Sequence, residues 1–417
     1  MQLERQPGDL DQALPLQLLD SDRVDVTPGS NVVREDEQLN GLGHGGHHFT
    51  VEVARWLEVV AGVLIVVLAT YDVFKSVVLP RPAINKFVFV RQLFLVSWQL
   101  WKWISDRLAA PRREGWLATF GPVLVIVMFG TWGLIFMLGY AFIFDGLREE
   151  MKPVPGDFLE SIYFSATTIV PLSYGDFVPE GLPSRVFTVL ESATGVGIAA
   201  LAITLLFSLY ESFQRREELV VTLDALAGAP PSGLQILETA AELDRRAQLG
   251  GTFDEWRDWM AAVLESHLAY PILFYFRSSH DNEAWLNSFG AVMDAATLVI
   301  STVDGEAEGS ARLTLTIGKH LVEDMSWFFG FEQSQDVGVD PSEFDEAYGR
   351  LKKAGYRCRP RDEAWQSFEK VRARYASALN QAAKRFAIIP AQWIGDRSYI
   401  PHQSGRGQIR RLGGPGH

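Results

Sequence analysis

Three apolar runs set the terms on which this chain can fold. They are WLEVVAGVLIVVLATYDVFKSVV (Trp56–Val78), LATFGPVLVIVMFGTWGLIFMLGYAFIF (Leu117–Phe144) and VFTVLESATGVGIAALAITLLFSLY (Val186–Tyr210). Each reaches or exceeds the ~20 residues needed to cross the hydrocarbon core of a bilayer. In hydrocarbon a single segment satisfies its own backbone N–H and C=O groups only as a helix, so three membrane helices are expected. Pro122 and the glycines of the second run are ordinary in such helices. The first 50 residues carry nine acids against three arginines. They have little periodicity and read as a disordered acidic segment (residues 1–50). With no basic N-terminal region, they are no signal peptide. His44, His47 and His48 within them read as part of a solvated linker, with adventitious metal binding as the alternative.

Between the first two runs lies Phe87–Leu108, apolar and aromatic but interrupted by Arg91 and Lys102. It reads as an amphipathic helix lying in the membrane interface, with Trp98, Trp101 and Trp103 at headgroup level; a fourth span is the alternative. Seven basic residues and two acids separate runs one and two, whereas seven acids and three basic residues separate runs two and three. The basic loop belongs in the cytoplasm. The acidic loop and the N-terminus then face outside, and everything after Tyr210 is inside, in agreement with Arg215 and Arg216. The expected localisation is the plasma membrane, with several passes.

The acidic loop contains YFSATTIVPLSYGD (Tyr163–Asp176). Phe158–Ile169 is apolar enough for a short helix, and Tyr174-Gly175-Asp176 closes the segment. Tyr-Gly-Asp alone is an ordinary turn. Between two membrane spans, after a short apolar helix, it points elsewhere. An irregular loop at membrane depth is tolerated only where protein buries it or where it lines a water-filled path. Residues 117–213 resemble the pore domain of the potassium-channel family: outer helix, pore helix, filter loop, inner helix. In that family the filter usually reads TVGYG and then Asp, and its backbone carbonyls replace the ion's hydration shell. Here Pro171, Leu172, Ser173, Tyr174 and Gly175 occupy those positions, followed by Asp176.

The resemblance implies that these five residues bind the permeant ion. It also implies that Asp176, Tyr163 and Phe164 support the filter, and that Gly195 is the gating hinge of the inner helix. Close helix packing through small residues is the other reading of Gly195 and Gly197. Pro171 removes a side-chain hydroxyl and a backbone N–H. Ser173 stands where a glycine commonly takes positive φ, at a cost of about 1 kcal/mol. Asp176, Glu180, Glu149 and Glu150 form an acidic mouth that would concentrate cations. Glu191, alone within an apolar run, is expected to face a partner or water, approaching the pore helix or its Thr167 and Thr168; an interfacial position near the outer end is the alternative. With one such loop per chain, a fourfold pore requires a homotetramer. No span carries the arginine periodicity of a voltage sensor.

After Tyr210, ESFQRREELVVTLDALAG continues the inner helix until Ala229-Pro230-Pro231-Ser232-Gly233 breaks it. Leu234 to about Phe331 and Glu343 to about Phe386 have helical spacing, so residues 214–390 read as a soluble all-helical cytoplasmic domain and residues 391–417 as a disordered tail. Residues 51–116 hold the first span and the interfacial helix. The fold class is therefore an all-α membrane protein, with an ion-channel pore domain, one extra N-terminal span and a helical cytoplasmic domain. No glycine-rich nucleotide fingerprint follows a strand, and no catalytic constellation emerges, so no enzyme is expected. No cofactor is expected beyond a permeant K+ or other monovalent cation. With 38 basic against 51 acidic residues, a nucleic-acid partner has no charge support. The one cysteine, Cys358, excludes an intrachain disulfide. His267, His280 and His320 read as ordinary surface or core residues. The partners are the lipid bilayer and monovalent cations. The function implied is a tetrameric cation channel, potassium-conducting through a carbonyl filter and gated by its cytoplasmic domain. A non-conducting membrane sensor or scaffold is the alternative, motivated by Pro171 and Ser173.

Overall fold

The computed structural model describes residues 37–78, 89–172, 174–278, 284–305, 307–332, 334, 337–389 and 391, with side chains from Thr50 onward except at 78, 89–91, 110 and 111. The side chains of His44, His47 and His48, together with Ser173, His280 and the tail beyond 391, lie outside what is described. The chain divides into two units, Met1–Ala54 and Arg55–His417; all contacts below lie within the second. Helix α1 runs Glu37–Val73 and ends in a π-helical turn, Phe74–Val78. It begins earlier than the acidic composition suggests, so residues 37–50 are helical rather than irregular. Adding residues to a helix that already exists costs far less than nucleating one. Then follow α2 (Phe89–Ser105), α3 (Ala110–Gly146), α4 (Phe158–Ile169) and α5 (Leu182–Ala227). Three segments are long and apolar enough to span a membrane: Thr50–Val77, Arg112–Gly146 and Leu182–Ala227. Among the described residues the regular strands are β1 (Met151–Lys152) and β2 (Val178–Pro179), paired antiparallel.

Helix α1 lies against α3 through glycine. A Cβ on Gly62 would sit 2.4 Å from the Gly139 carbonyl oxygen, and one on Gly146 would sit 2.6 Å from that of Arg55. Small residues let membrane helices approach at backbone distance. At the far end of this seam, Asp72 accepts a hydrogen bond from Trp132 Nε1 at 2.9 Å. Helix α2 is not among the spanning segments. Its tryptophans differ from the headgroup expectation. Trp98 is buried against Phe120 and Tyr275, and Trp101 stacks on Trp116 at 4.3 Å. Only Trp103 is exposed, with Arg107 over its ring. The apolar stripe of α2 has found protein on one side, because Trp98 Nε1 and Lys102 Nζ also reach carbonyls of Arg385 and Lys384 near the C-terminus.

The remaining helices are α6 (Gly233–Glu242), α7 (Leu249–Ala269), α8 (Trp285–Ser301), α9 (Glu308–Phe329), α10 (Pro341–Lys353), α11 (Arg361–Arg372) and α12 (Ala376–Arg385). Helix α8 is buried along almost its whole length and forms the axis of this domain. The stretch Glu343–Phe386 is three helices, not one. Gly355 at φ 84° turns the chain after α10, and Pro360 precedes α11. Arg350 clamps Glu238 in a two-pronged ion pair, 2.8 and 2.5 Å. On α8, buried Asp294 receives Arg372 Nε at 3.0 Å and the Tyr375 hydroxyl at 2.7 Å, binding α11 and the start of α12 to the axis.

Helix α5 is joined to this domain by Arg216, which is 2% exposed. Its guanidinium donates to the carbonyls of Leu273 and Phe276 at 3.0 and 2.7 Å and to Glu217 at 2.9 Å. Trp259 Nε1 donates to its backbone carbonyl. Both carbonyl acceptors belong to, or end, the 3-10 turn Pro271–Tyr275. His267 Nε2 lies 3.3 Å from the same guanidinium. Burial, and then the Arg216 charge, hold His267 well below the usual histidine range.

Two outcomes follow from these buried charges. A histidine that stays neutral when folded contributes stability that is complete above its unfolded value of 6.5 and is lost as pH falls below it. The thermal midpoint of the full chain in detergent should therefore drop on acidification below that pH, and His267→Gln should flatten the drop. Arg372→Met leaves the Asp294 carboxylate buried without its cation; it should destabilise the domain by about 3–5 kcal/mol, read by denaturant unfolding.

Candidate pore site

The site is built from the ends of its elements inward. Asp157 caps α4, accepting from Glu160 N at 3.0 Å, and Glu160 Oε2 accepts from Gly156 N at 2.6 Å. This reciprocal pair fixes where the helix starts. Buried Asp145, at the end of α3, accepts from Arg148 and from Ser161 Oγ at 3.1 Å, so the first turns of α4 are tied to the outer helix. The far end of the loop is held by Glu150. Its carbonyl accepts from Glu180 N and Gly181 N, and its carboxylate accepts from Ser184 N at 3.0 Å. A carboxylate at the N-terminus of α5 meets the positive end of the helix dipole. Glu150 is therefore a helix cap rather than a solvated member of the acidic mouth. Glu149 pairs with Arg55, and Glu180 with Lys152 at 3.4 Å. The β1–β2 ladder, Met151 opposite Pro179 and Lys152 opposite Val178, closes the neck.

Within this frame α4 is wedged between α3 and α5. Phe164 is buried edge-on against Phe144 at 4.8 Å. The Ser165 hydroxyl lies 2.8 Å from the Met137 carbonyl of α3 and 2.5 Å from Glu191 Oε1 of α5. Ser192 Oγ donates to the Thr168 carbonyl at 3.3 Å, and Tyr140 and Thr194 hydroxyls meet at 3.1 Å. Glu191 does meet the pore helix, as expected, though not at Thr167 or Thr168. Both threonines instead turn their hydroxyls back to the Phe164 carbonyl, and it is Ser165 that Glu191 meets. The spacing of Ser161 and Ser165, one helical turn apart in an apolar helix, was the available signal.

The loop leaves α4 at Val170. Leu172 N donates to the Thr167 carbonyl at 2.9 Å. Pro171, Leu172, Tyr174 and Gly175 are exposed, Tyr174 at 66%. Gly175 takes φ 77°, the left-handed region that favours glycine. Asp176 accepts from Phe177 N at 3.2 Å, and its carboxylate is the hydrogen-bond partner of the Tyr163 hydroxyl. The Tyr163 ring stands 6.3 Å from Phe177. Tyr163 and Asp176 are thus together, Phe164 anchors the back of α4, and Ser173 falls outside the described residues. Among the described residues no cluster of His, Cys, Asp or Glu suits a metal ion.

Gly195 stands where α5 passes the end of α4. A Cβ there would lie 1.9 Å from the Ile169 carbonyl oxygen, whereas one on Gly197 would meet nothing within 4 Å. Close approach is by itself a sufficient reason for glycine at 195, apart from any hinge. Gly195→Ala should push α4 away from α5 and destabilise the membrane domain by about 1–3 kcal/mol or more. Gly197→Ala, which also gains helix propensity, should not lower the thermal midpoint in detergent.

Comparison with known proteins agrees with this geometry. A family model described as "Ion channel" matches residues 122–212, which run from within α3 through α4 and the loop into α5. The chain is also similar to the "Uncharacterized membrane protein YdjJ" of Bacillus subtilis (strain 168), 21% identical over 202 residues. That alignment covers 48% of this chain and 58% of the relative, so the chain spans a little over half the length of the curated protein it matches. No solved structure matches it. In this all-α membrane protein, residues 122–212 are similar to the ion-channel family.

Proposed function

We propose that the chain is a subunit of a homotetrameric cation channel, potassium preferred, in which residues 171–175 line a shared axis with their backbone carbonyls. The observation that carries this reading is the exposure of that stretch in a single chain. It follows a helix held between two membrane spans, yet Leu172 is 48% exposed and Tyr174 66% exposed. Irregular backbone at that depth needs protein or a water path around it, and three further copies about a fourfold axis supply both. The C-terminal end of α4, which bears partial negative charge, leads directly into the loop and favours a cation there. Asp176 braces the loop through Tyr163.

The basic residues between the first two spans favour a cytoplasmic position for that loop and for the C-terminal helices. Within the plasma membrane, the acidic loop would then face outward. A gating role for the C-terminal domain is supported by its attachment to α5 through Arg216. Gly197, with open space around it, is as suitable a place for the inner helix to bend as Gly195. The competing reading, a non-conducting sensor or scaffold, draws on Pro171 and Ser173, which depart from a regular carbonyl filter.

Purified protein in liposomes should conduct potassium in preference to sodium. Absence of flux for either ion, from correctly assembled tetramers, would favour the scaffold. Pro171→Thr combined with Ser173→Gly should sharpen potassium over sodium selectivity. An unchanged permeability ratio in a conducting double mutant means that these positions do not line the ion path.

A further inference from the structure

Glu191 is fully buried and sits in the membrane domain without an ion-pair partner among the described residues. Its Oε1 is 2.5 Å from Ser165 Oγ, and its Oε2 has no hydrogen-bond partner. Ser165 Oγ is also 2.8 Å from the Met137 carbonyl oxygen. Counting hydrogens exposes a conflict. Ser165 has one O–H, and a backbone carbonyl only accepts. If Glu191 were a carboxylate, two acceptors would compete for that hydrogen, and a full charge would lie buried with one oxygen unanswered. Both are expensive inside a membrane protein. The conflict disappears if Glu191 carries the missing hydrogen.

We propose that Glu191 is a neutral carboxylic acid that positions the pore helix: it donates its O–H to Ser165 Oγ, which donates its own O–H to the Met137 carbonyl. One relay of two hydrogen bonds then runs from α5 through α4 to α3. Every hydroxyl hydrogen in it is used once, and Oε2 becomes a carbonyl-type oxygen, whose isolation costs much less than that of a carboxylate oxygen. The relay crosses α4 on the buried side, about one turn before the helix ends at Ile169 and the chain enters the loop of residues 171–175. Loss of the proton breaks one of the two bonds and places a charge behind α4, so the loop should lose its support as pH rises. The titratable group facing Glu191 from α3 is Tyr140, whose hydroxyl is engaged by Thr194. Helix α4 contributes no titratable side chain to the contact; its Ser165 is the relay itself. The effect on conduction rests on the channel reading above; the protonation state does not.

Two measurements test this on the full-length assembled protein. In infrared difference spectra between wild type and Glu191→Gln at neutral pH, the wild type should show the carbonyl stretch of a protonated carboxylic acid. A carboxylate pair of bands in its place overturns the proposal. In liposomes, Glu191→Gln keeps a donor toward Ser165 and should conduct within about twofold of wild type, whereas Glu191→Leu, lacking one, should fall by about tenfold. Wild-type flux should decline toward alkaline pH and Glu191→Gln flux should not; identical pH profiles for the two overturn the positioning role. If the wild type does not conduct at all, the channel reading fails while the infrared result still decides the state of Glu191.

Discussion

The membrane half of this protein depends on how a short helix is held between two long ones. Helix α4 is only 12 residues long and would be marginal alone. It persists because each part of it is bonded to something outside itself. Asp157 and Asp145 hold its start, Ser165 and Phe164 its middle, and Ser192, bonded to the Thr168 carbonyl, its end. These are mostly contacts of small polar side chains with backbone, which have little conformational freedom to lose. The loop that follows inherits its position from this helix. Rigidity behind the loop, rather than contacts within it, is what the described residues provide.

The second half is organised by a different device. Helix α8 offers a nearly continuous buried surface, and two of its polar groups, Asp294 and Thr297, fix Tyr375. The domain is tied to the membrane helices at two places. One is Arg216, seated in the carbonyls of Leu273 and Phe276. The other is the group of carbonyls at Lys384–Ala387, reached by Lys102, Trp98 and Arg277, with Arg277 also paired to Glu114 at 2.7 Å. Both are arrangements in which cations or N–H donors meet the carbonyls that helix and turn ends leave free.

The spans, the short helix at Phe158–Ile169 and the continuation of the third run past Tyr210 were legible because apolar length and periodicity are local properties. The cluster at Tyr163 and Asp176 was legible through a family pattern. What escaped depends on pairs far apart in the chain. Glu150 looks like any loop acid until Ser184 is beside it. Arg216 reads as a basic flank to a membrane span, and only the distant turn at 271–275 makes it a buried residue. Trp98 fits a headgroup belt by composition, but α12 and the 3-10 turn cover it. Gly195 was open to two readings, a hinge and close helix packing, and the partner in that packing, Ile169, could be seen only in three dimensions. In each case the residue type was read correctly as polar, basic, aromatic or flexible; what was missing was the neighbour.

The third membrane segment does not stop where hydrocarbon would. At 46 residues and 1.5 Å per residue it is roughly 70 Å long, with Glu191 and Gly195 near one end and Arg216 near the other. The glycine that touches Ile169 and the arginine seated in the carbonyls of Leu273 and Phe276 therefore lie on one continuous helix, roughly 30 Å apart along its axis.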